Sequence, residues 1–310
     1  MRLWADSAEG TDCARRVCEF LGIPFYTLDL EPEFRRYVVD YFCKEYSHGR
    51  TPNPCLACNA RIKFGLLLKK AQASGADYLS TGHYARIDHS QGRYRLLKGI
   101  DQAKDQSYFL YNLGQAELKY LLLPLGAYHK DEVRRMAAAR RLPIHERGES
   151  QDVCFIPNGD YARFLTQRLH PEPGEIADLE GKVMGTHQGI ASYTIGQRQG
   201  LGIASAEPLY VLRIDAGTNT LVVGPEAELF SDTLWASNVN FISGAPPPGE
   251  IEVEAKIRYR STEAEAVLSP RGELFQLRFH QPQRAIAPGQ AVVFYHRDEV
   301  LGGGIIERAT

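Results

Sequence analysis

The sequence predicts a layered α/β domain with a parallel sheet in its first half and a β-rich remainder, and three observations predict it. Helical and strand-like hydrophobic periods alternate through the first half. From Pro173 onward, glycines and prolines separate short runs of alternating polarity. All six cysteines, Cys13, Cys18, Cys43, Cys55, Cys58 and Cys154, fall before that change of texture. A length of 310 residues favours two or three domains over one. With 44% hydrophobic and 24% charged residues the chain can bury a core, which excludes a disordered polymer.

Taken in order, Thr11 to Leu21 has the amphipathic period of a helix, with Val17, Phe20 and Leu21 on one side and Gly22 ending it. Pro24 to Leu30 reads as a short strand, and a helix follows from Pro32 to Tyr46, closed by Gly49. Two prolines make Arg50 to Cys55 a loop. Asn59 then caps a helix over Ala60 to Ser74, which leaves Cys58 at the helix start. Tyr78 to Thr81 reads as a buried strand ending in Gly82-His83, followed by a hairpin whose second arm is Arg93 to Leu97. A helix over Lys130 to Arg141 stops near Pro143, and Asp152 to Ile156 reads as a strand carrying Cys154.

The second half offers strands at Tyr210 to Asp215, Leu221 to Gly224, Ile251 to Arg260, Leu274 to His280 and Ala291 to Tyr295. In Ile251 to Arg260 the alternation is strict, apolar on one face and charged on the other. Such runs predict a barrel or sandwich. The expected domains are 1–162, 163–231 and 232–310.

Several classes drop out on composition. No run approaches the roughly 18 apolar residues of a membrane span, and the acidic start MRLWADSAEGTD lacks a secretory apolar region, so a cytoplasmic location is expected. A net charge of −2 excludes a uniformly basic nucleic-acid binder, so any RNA contact must be local. Cysteines confined to one half do not form a secreted disulfide framework; such thiols are packing, catalytic or metal-binding.

Cys55 and Cys58 form a C-x-x-C pair beside a helix start, where the helix dipole is expected to lower a thiol pKa. Half of a zinc site is the competing reading, but the chain holds no second C-x-x-C and no paired histidines. Cys154 is either a third functional thiol on the same sheet or a small buried apolar residue. Cys13, Cys18 and Cys43 are assigned to packing.

The motifs together carry a resemblance. Gly49-Arg50-Thr51-Pro52-Asn53-Pro54, Cys58-Asn59, Ile62-Lys63-Phe64, Thr81-Gly82-His83-Tyr84, Lys104 to Leu110 and Ser150 to Ile156 occur in that order. Gly189, Thr194-Ile195-Gly196-Gln197-Arg198, Gly200-Leu201-Gly202, Arg258-Tyr259-Arg260, Pro288-Gly289-Gln290 and Leu301 to Ile306 continue it to the end. This collinear set resembles the tRNA-specific 2-thiouridylase family over essentially the whole chain.

The resemblance implies an incomplete PP-loop (HUP-like) nucleotide-binding domain, then a small mainly β central domain and a C-terminal β-barrel. It implies that ATP with Mg2+ adenylates the C2 oxygen of a wobble uridine in the anticodon stem-loop, after which sulfur displaces AMP. Cys58 would be the nucleophile and Cys154 the persulfide carrier, with Cys55 where many members have aspartate. The same three thiols would also permit a [4Fe-4S] cluster, which the comparison slightly favours over a pure persulfide relay. Met1 and Gly82 would serve ATP. Asn53, Pro54, Cys55, His83, Lys104, Asp105, Gln106, Arg258, Tyr259 and Gln290 would contact tRNA, and a separate sulfur-donor protein is implied.

One departure matters. Family members begin with a strand and a Ser-Gly-Gly-x-Asp-Ser loop that cradles the ATP pyrophosphate, whereas here Met1-Arg2-Leu3-Trp4 matches the strand after that unit. A truncated or misassigned start is the expectation, ahead of a shortened homologue, and with it exposed apolar surface, an open sheet edge and poor solubility. The rival functional classes are a noncatalytic tRNA-binding homologue and a metal-stabilised structural or redox protein.

Overall fold

A computed structural model describes residues 8–90, 92–143, 153–156 and 159–310. Met1 and the stretch 144–152 therefore lie outside the described residues. The chain divides into two compact units: one holds 1–40 and 54–159, the other 41–53 and 160–310.

In the first unit a helix over Ala8–Leu21 ends at Gly22, whose φ of +64° suits a residue without Cβ. Its apolar stripe stays half exposed, with Phe20 at 55% and Leu21 at 50%. The expected strand over Pro24 to Leu30 does not form: the segment carries a single bridge, at Asp29, and no ladder. The next helix spans 31–47, starting on Pro32 in its first turn, and the chain changes unit within it, between Asp40 and Tyr41.

A third helix runs continuously over 54–73, α-helical at Pro54–Ala57, π-helical over Cys58–Leu67 and α-helical again at Leu68–Ala73. This corrects the reading of Cys55 as loop and Asn59 as cap. Pro54 occupies the first helical position, where its missing N–H costs nothing, so the C-x-x-C lies inside the helix. Asn59 is buried and donates through Nδ2 to the carbonyl of Phe109 at 3.1 Å.

Strand β1 (Leu79–Ser80) is short and partly exposed rather than buried, and pairs in parallel with β4 (Leu121–Leu122). Between them β2 (Ala85–Asp88) and β3 (Arg95–Lys98) form an antiparallel hairpin. Leu30, Phe34, Ile62, Leu96, Tyr108, Leu110 and Leu118, each fully buried, fill this unit, and Phe155 meets Phe34 edge-on at 5.7 Å. The expected strand at Cys154 is also corrected. Residues 153–156 form a turn closed by the Ile156 amide on the Val153 carbonyl.

The second unit contains two β structures. The first orders β6 (Val183–His187), β5 (Gly174–Ala177), β8 (Thr220–Gly224) and β7 (Tyr210–Asp215), with β5 and β8 parallel. The second is a closed six-stranded barrel ordered β13 (Ala291–His296), β10 (Ile251–Lys256), β11 (Ala264–Arg271), β12 (Leu274–Arg284), β9 (Phe230–Phe241) and β14 (Glu299–Ala309). Pairing of β13 with β14 closes it and removes its free edges. Val253, Ala255 and Ile257 point into its core as the alternation predicts. The strand stops at Lys256, so Arg258, Tyr259 and Arg260 lie in a turn rather than on a strand face.

Residues 41–53 belong to this unit through several ties. Phe42 packs on Tyr161 and Phe164. The Thr51 amide donates to the Pro288 carbonyl at 2.8 Å, and Gln290 Nε2 donates to the Thr51 carbonyl at 2.9 Å. Gly289 sits at φ +89°, where a Cβ would lie 2.9 Å from the Thr51 nitrogen. Arg50 spans Glu45 at 2.8 Å and Glu307 at 2.7 Å.

Candidate active site

The 54–73 helix sets the candidate site. Cys55 lies in its first turn, exposed, and Cys58 begins the π-helical stretch, buried. In an α-helix a residue five places on points about 140° away, at 3.6 residues per turn. The i→i+5 hydrogen bonding of a π-helix instead brings the side chains of Cys58 and Lys63 onto one side.

The turn at 153–156 delivers Cys154 to the same place. Cys55, Cys58 and Cys154 are close enough for the charge of one to act on the next, and Lys63 acts on all three. No disulfide joins them. The three thiols thus share one electrostatic neighbourhood with Lys63, and a turn rather than a strand carries the third.

The electrostatics reverse one expectation. Burial pushes the Cys58 thiol up to about 12, against the opposing pull of Lys63, and the neighbouring Cys154 and Cys55 push it further. Cys55 and Cys154 each keep an open face to solvent but are crowded by protein on the other sides, and that desolvation raises both, joined for Cys55 by the charge of Cys154, with Lys63 opposing in each case. A lowered thiol pKa at a helix N-terminus fails here because Cys58 sits a full turn inside the helix, where no donor N–H remains and desolvation dominates. The resting thiols hold their protons.

His83 follows Gly82 directly after β1 and is buried. Lys63 Nζ donates to His83 Nε2 at 3.3 Å, so Nδ1 carries the ring proton and donates to Thr81 Oγ1 at 2.8 Å. Burial, then the like charge of Lys63, pushes His83 down to about 3, so the imidazole is neutral. Phe64 packs against the ring at 5.6 Å. Neither Lys63 nor this inward use of His83 was singled out from the sequence; the signal available was the spacing of five between Cys58 and Lys63, meaningful only once the helix is known to be π-helical.

Other expected site residues fall differently. Asp105 is buried, its carboxylate accepting from the Gly99 amide, the Ser107 amide and Ser107 Oγ. Gln106 accepts from the Tyr84 amide through Oε1, and its own amide returns a bond to the Tyr84 carbonyl. Both organise the backbone around 99–107. Gly82 is exposed at the C-terminal end of a parallel strand, the edge where α/β sheets bind ligands. Asn53, Arg258, Tyr259 and Gln290 belong to the second unit, with Arg258 exposed and donating to the Arg284 carbonyl at 3.2 Å.

Among the described residues no group of three or more Cys, His, Asp or Glu side chains is placed to hold a metal ion, so the structure gives no support to a three-thiolate cluster. Among the described residues no helix is long and apolar enough to cross a membrane.

Fold and site together define a nucleotide-type α/β unit carrying convergent thiols, joined to two β domains. Family models match in that order: a tRNA methyl transferase HUP domain over residues 4–158, a tRNA methyl transferase PRC-barrel domain over 162–225 and an aminomethyltransferase beta-barrel domain over 231–306. The chain is 48% identical to tRNA-specific 2-thiouridylase MnmA 2 of Thermoanaerobacter sp. (strain X514), covering 99% of this chain and 90% of the relative. It is 50% identical to the MnmA of Roseiflexus castenholzii (strain DSM 13941 / HLO8), covering 97% and 86%. With the MnmA of Carboxydothermus hydrogenoformans (strain ATCC BAA-161 / DSM 6008 / Z-2901) identity is 50%, covering 95% and 82%. The chain belongs to the tRNA-specific 2-thiouridylase family.

Proposed function

We propose that this protein is an ATP-dependent tRNA sulfurtransferase that installs sulfur at C2 of the wobble uridine, acting in the cytoplasm with Mg2+ and a separate sulfur-donor protein. The observation that carries the reading is the convergence of Cys55, Cys58 and Cys154 on Lys63, which is bonded to the residue following Gly82. That arrangement supports a sulfur-relay centre near the strand end suited to a nucleotide.

In this reading Cys154 receives a persulfide from the donor protein. Adenylation turns the uridine C2 oxygen into a leaving group, the terminal sulfur attacks C2, and AMP departs with the C–O electron pair. Cys58 gives up its proton to solvent, attacks the Cys154 sulfur as thiolate and breaks the S–S bond, whose electron pair goes to the sulfur on the base. Sulfur remains on the base, and a Cys58–Cys154 disulfide forms that an external dithiol must reduce. Cys55, exposed beside them, would exchange protons with the departing groups. Asn53, Pro54, Cys55, Lys104, Gln106, Arg258, Tyr259 and Gln290 are the direct tRNA contacts we assign, with His83 and Asp105, buried and bonded inward, serving that set by holding the backbone around them; Arg258 offers the most exposed cation.

The test is nucleoside mass analysis after incubating the protein with unmodified tRNA, ATP, Mg2+, a persulfide donor and a dithiol. Wild type should yield 2-thiouridine, and Cys58→Ser and Cys154→Ser should each reduce it at least about a hundredfold, since removing a nucleophile removes its covalent step. Undiminished product from either variant would overturn the relay. Binding of tRNA without any thiolated product would favour the noncatalytic reading.

A further inference from the structure

We propose that Lys63 is the electrostatic positioning residue of the thiol centre, an ammonium group held by His83 against Cys55, Cys58 and Cys154 to stabilise whichever sulfur becomes anionic. The inference deepens the sulfurtransferase reading and rests on it for its catalytic meaning. Its physical content concerns only this chain.

Lys63 is half-buried, and among the described residues no carboxylate pairs with it. A lysine kept for stability alone would be better placed in solvent or against an acid, because a cation loses hydration on burial. Here its hydrogen-bond partner is a neutral imidazole, fixed by the hydroxyl of Thr81 and the ring of Phe64. That partner accepts a proton-sharing bond yet brings no negative charge, so the positive field of Lys63 is left uncancelled for the sulfurs. The π-helical register completes the arrangement by aligning positions 58 and 63.

The magnitudes say when this field counts. For Cys58 in the resting protein, burial outweighs Lys63 and the thiol stays protonated. A persulfide is a stronger acid than a thiol, so when Cys154 carries the extra sulfur the same ammonium meets an anion, and the balance tips toward an ion pair. The proton released goes to solvent, and no redox change accompanies it. His83 is thereby a positioning residue that sets the place of the Lys63 charge, and Thr81 sets the tautomer of His83.

The experiment is iodoacetamide labelling of the whole protein across pH, with the rate at each cysteine read by peptide mass analysis. Lys63→Gln removes the charge while keeping a donor for His83, and Lys63→Arg keeps the charge. Lys63→Gln should slow labelling of both Cys58 and Cys154 at least about tenfold at a pH near 8, since one pKa unit is a factor of ten in thiolate. Lys63→Arg should stay within about threefold of wild type, and Cys13 and Cys18, on the Ala8–Leu21 helix, should label unchanged.

Unchanged rates at Cys58 and Cys154 in Lys63→Gln, or equal slowing at Cys13 and Cys18, would overturn the proposal. Should Lys63→Gln fail to fold, His83→Gln reads the same coupling by loosening the anchor: slower labelling of Cys58 at a pH near 8 supports the role of Lys63, and an unchanged rate overturns it. Labelling requires no tRNA or ATP, so a normal labelling response without thiolated product would sink the sulfurtransferase reading and leave the Lys63 assignment standing.

Discussion

At the scale of single residues the site is governed by desolvation, and this gives a pH signature. His83 sits near 3 in the folded protein and near 6.5 when unfolded. A depressed value means that folding is favoured in full above the unfolded pKa and loses that contribution as pH falls from about 6.5 toward 3. By pH 5 the loss should be about 2 kcal/mol, from 1.36 kcal/mol per unit. His83→Gln, which cannot take the proton, should flatten that part of the curve in urea unfolding; an identical acid slope would refute the burial argument. Cys58 works in the other direction. Its folded value near 12 makes the thiol a stabilising neutral group that is lost as pH rises past the unfolded thiol range, so wild type should lose stability above roughly pH 9 more steeply than Cys58→Ala.

At the scale of elements, the 54–73 helix shows what the sequence could and could not tell. Its apolar period was legible, but the proline loop concealed its true start. The rule that proline breaks helices gave way to proline's fitness for the first helical position. That one shift turned Asn59 from an exposed cap into a buried tie to the Phe109 carbonyl and placed the C-x-x-C within the helix. Cys154 was legible as a member of the site and illegible as a turn, because three or four apolar residues look alike in either setting. Strand β14 gave no clear alternation because Gly302 and Gly304 cross β9 closely: a Cβ on Gly302 would lie 2.1 Å from the Asn240 carbonyl oxygen. The buried tie yields a prediction. Asn59→Asp should destabilise more than Asn59→Ala, because an ionised carboxylate faces the Phe109 carbonyl as acceptor against acceptor. Alanine should cost about 1–3 kcal/mol in denaturant unfolding, and aspartate more. Equal losses would mean that the Nδ2 bond contributes little.

At the scale of the whole molecule, the chain interrupts its first unit to lend residues 41–53 to the second. Arg50 is the charged part of that loan. Its guanidinium reaches Glu45 through Nε, Glu307 through Nη1 and Nη2, and the Ile306 carbonyl through Nη2 at 3.4 Å. Burial raises the Glu307 carboxyl, but hydrogen bonds from Arg50 and Ser237 outweigh it and leave the group below its ordinary value. The network's contribution is therefore present above the unfolded glutamate pKa near 4.5 and is lost as pH falls through the folded value. Lysine in place of Arg50 can donate to one carboxylate at a time and cannot span both. Arg50→Lys should thus weaken the second unit by about 1–3 kcal/mol at neutral pH, with Arg50→Ala at or beyond the upper end because two part-buried carboxylates lose their cation. Hydrogen exchange at β14 amides is the measurement that assigns the loss to this unit: protection should fall there while the amides of the 54–73 helix hold theirs. A uniform loss across both would mean that the fold unravels as one body and that residues 41–53 are not a separable tie.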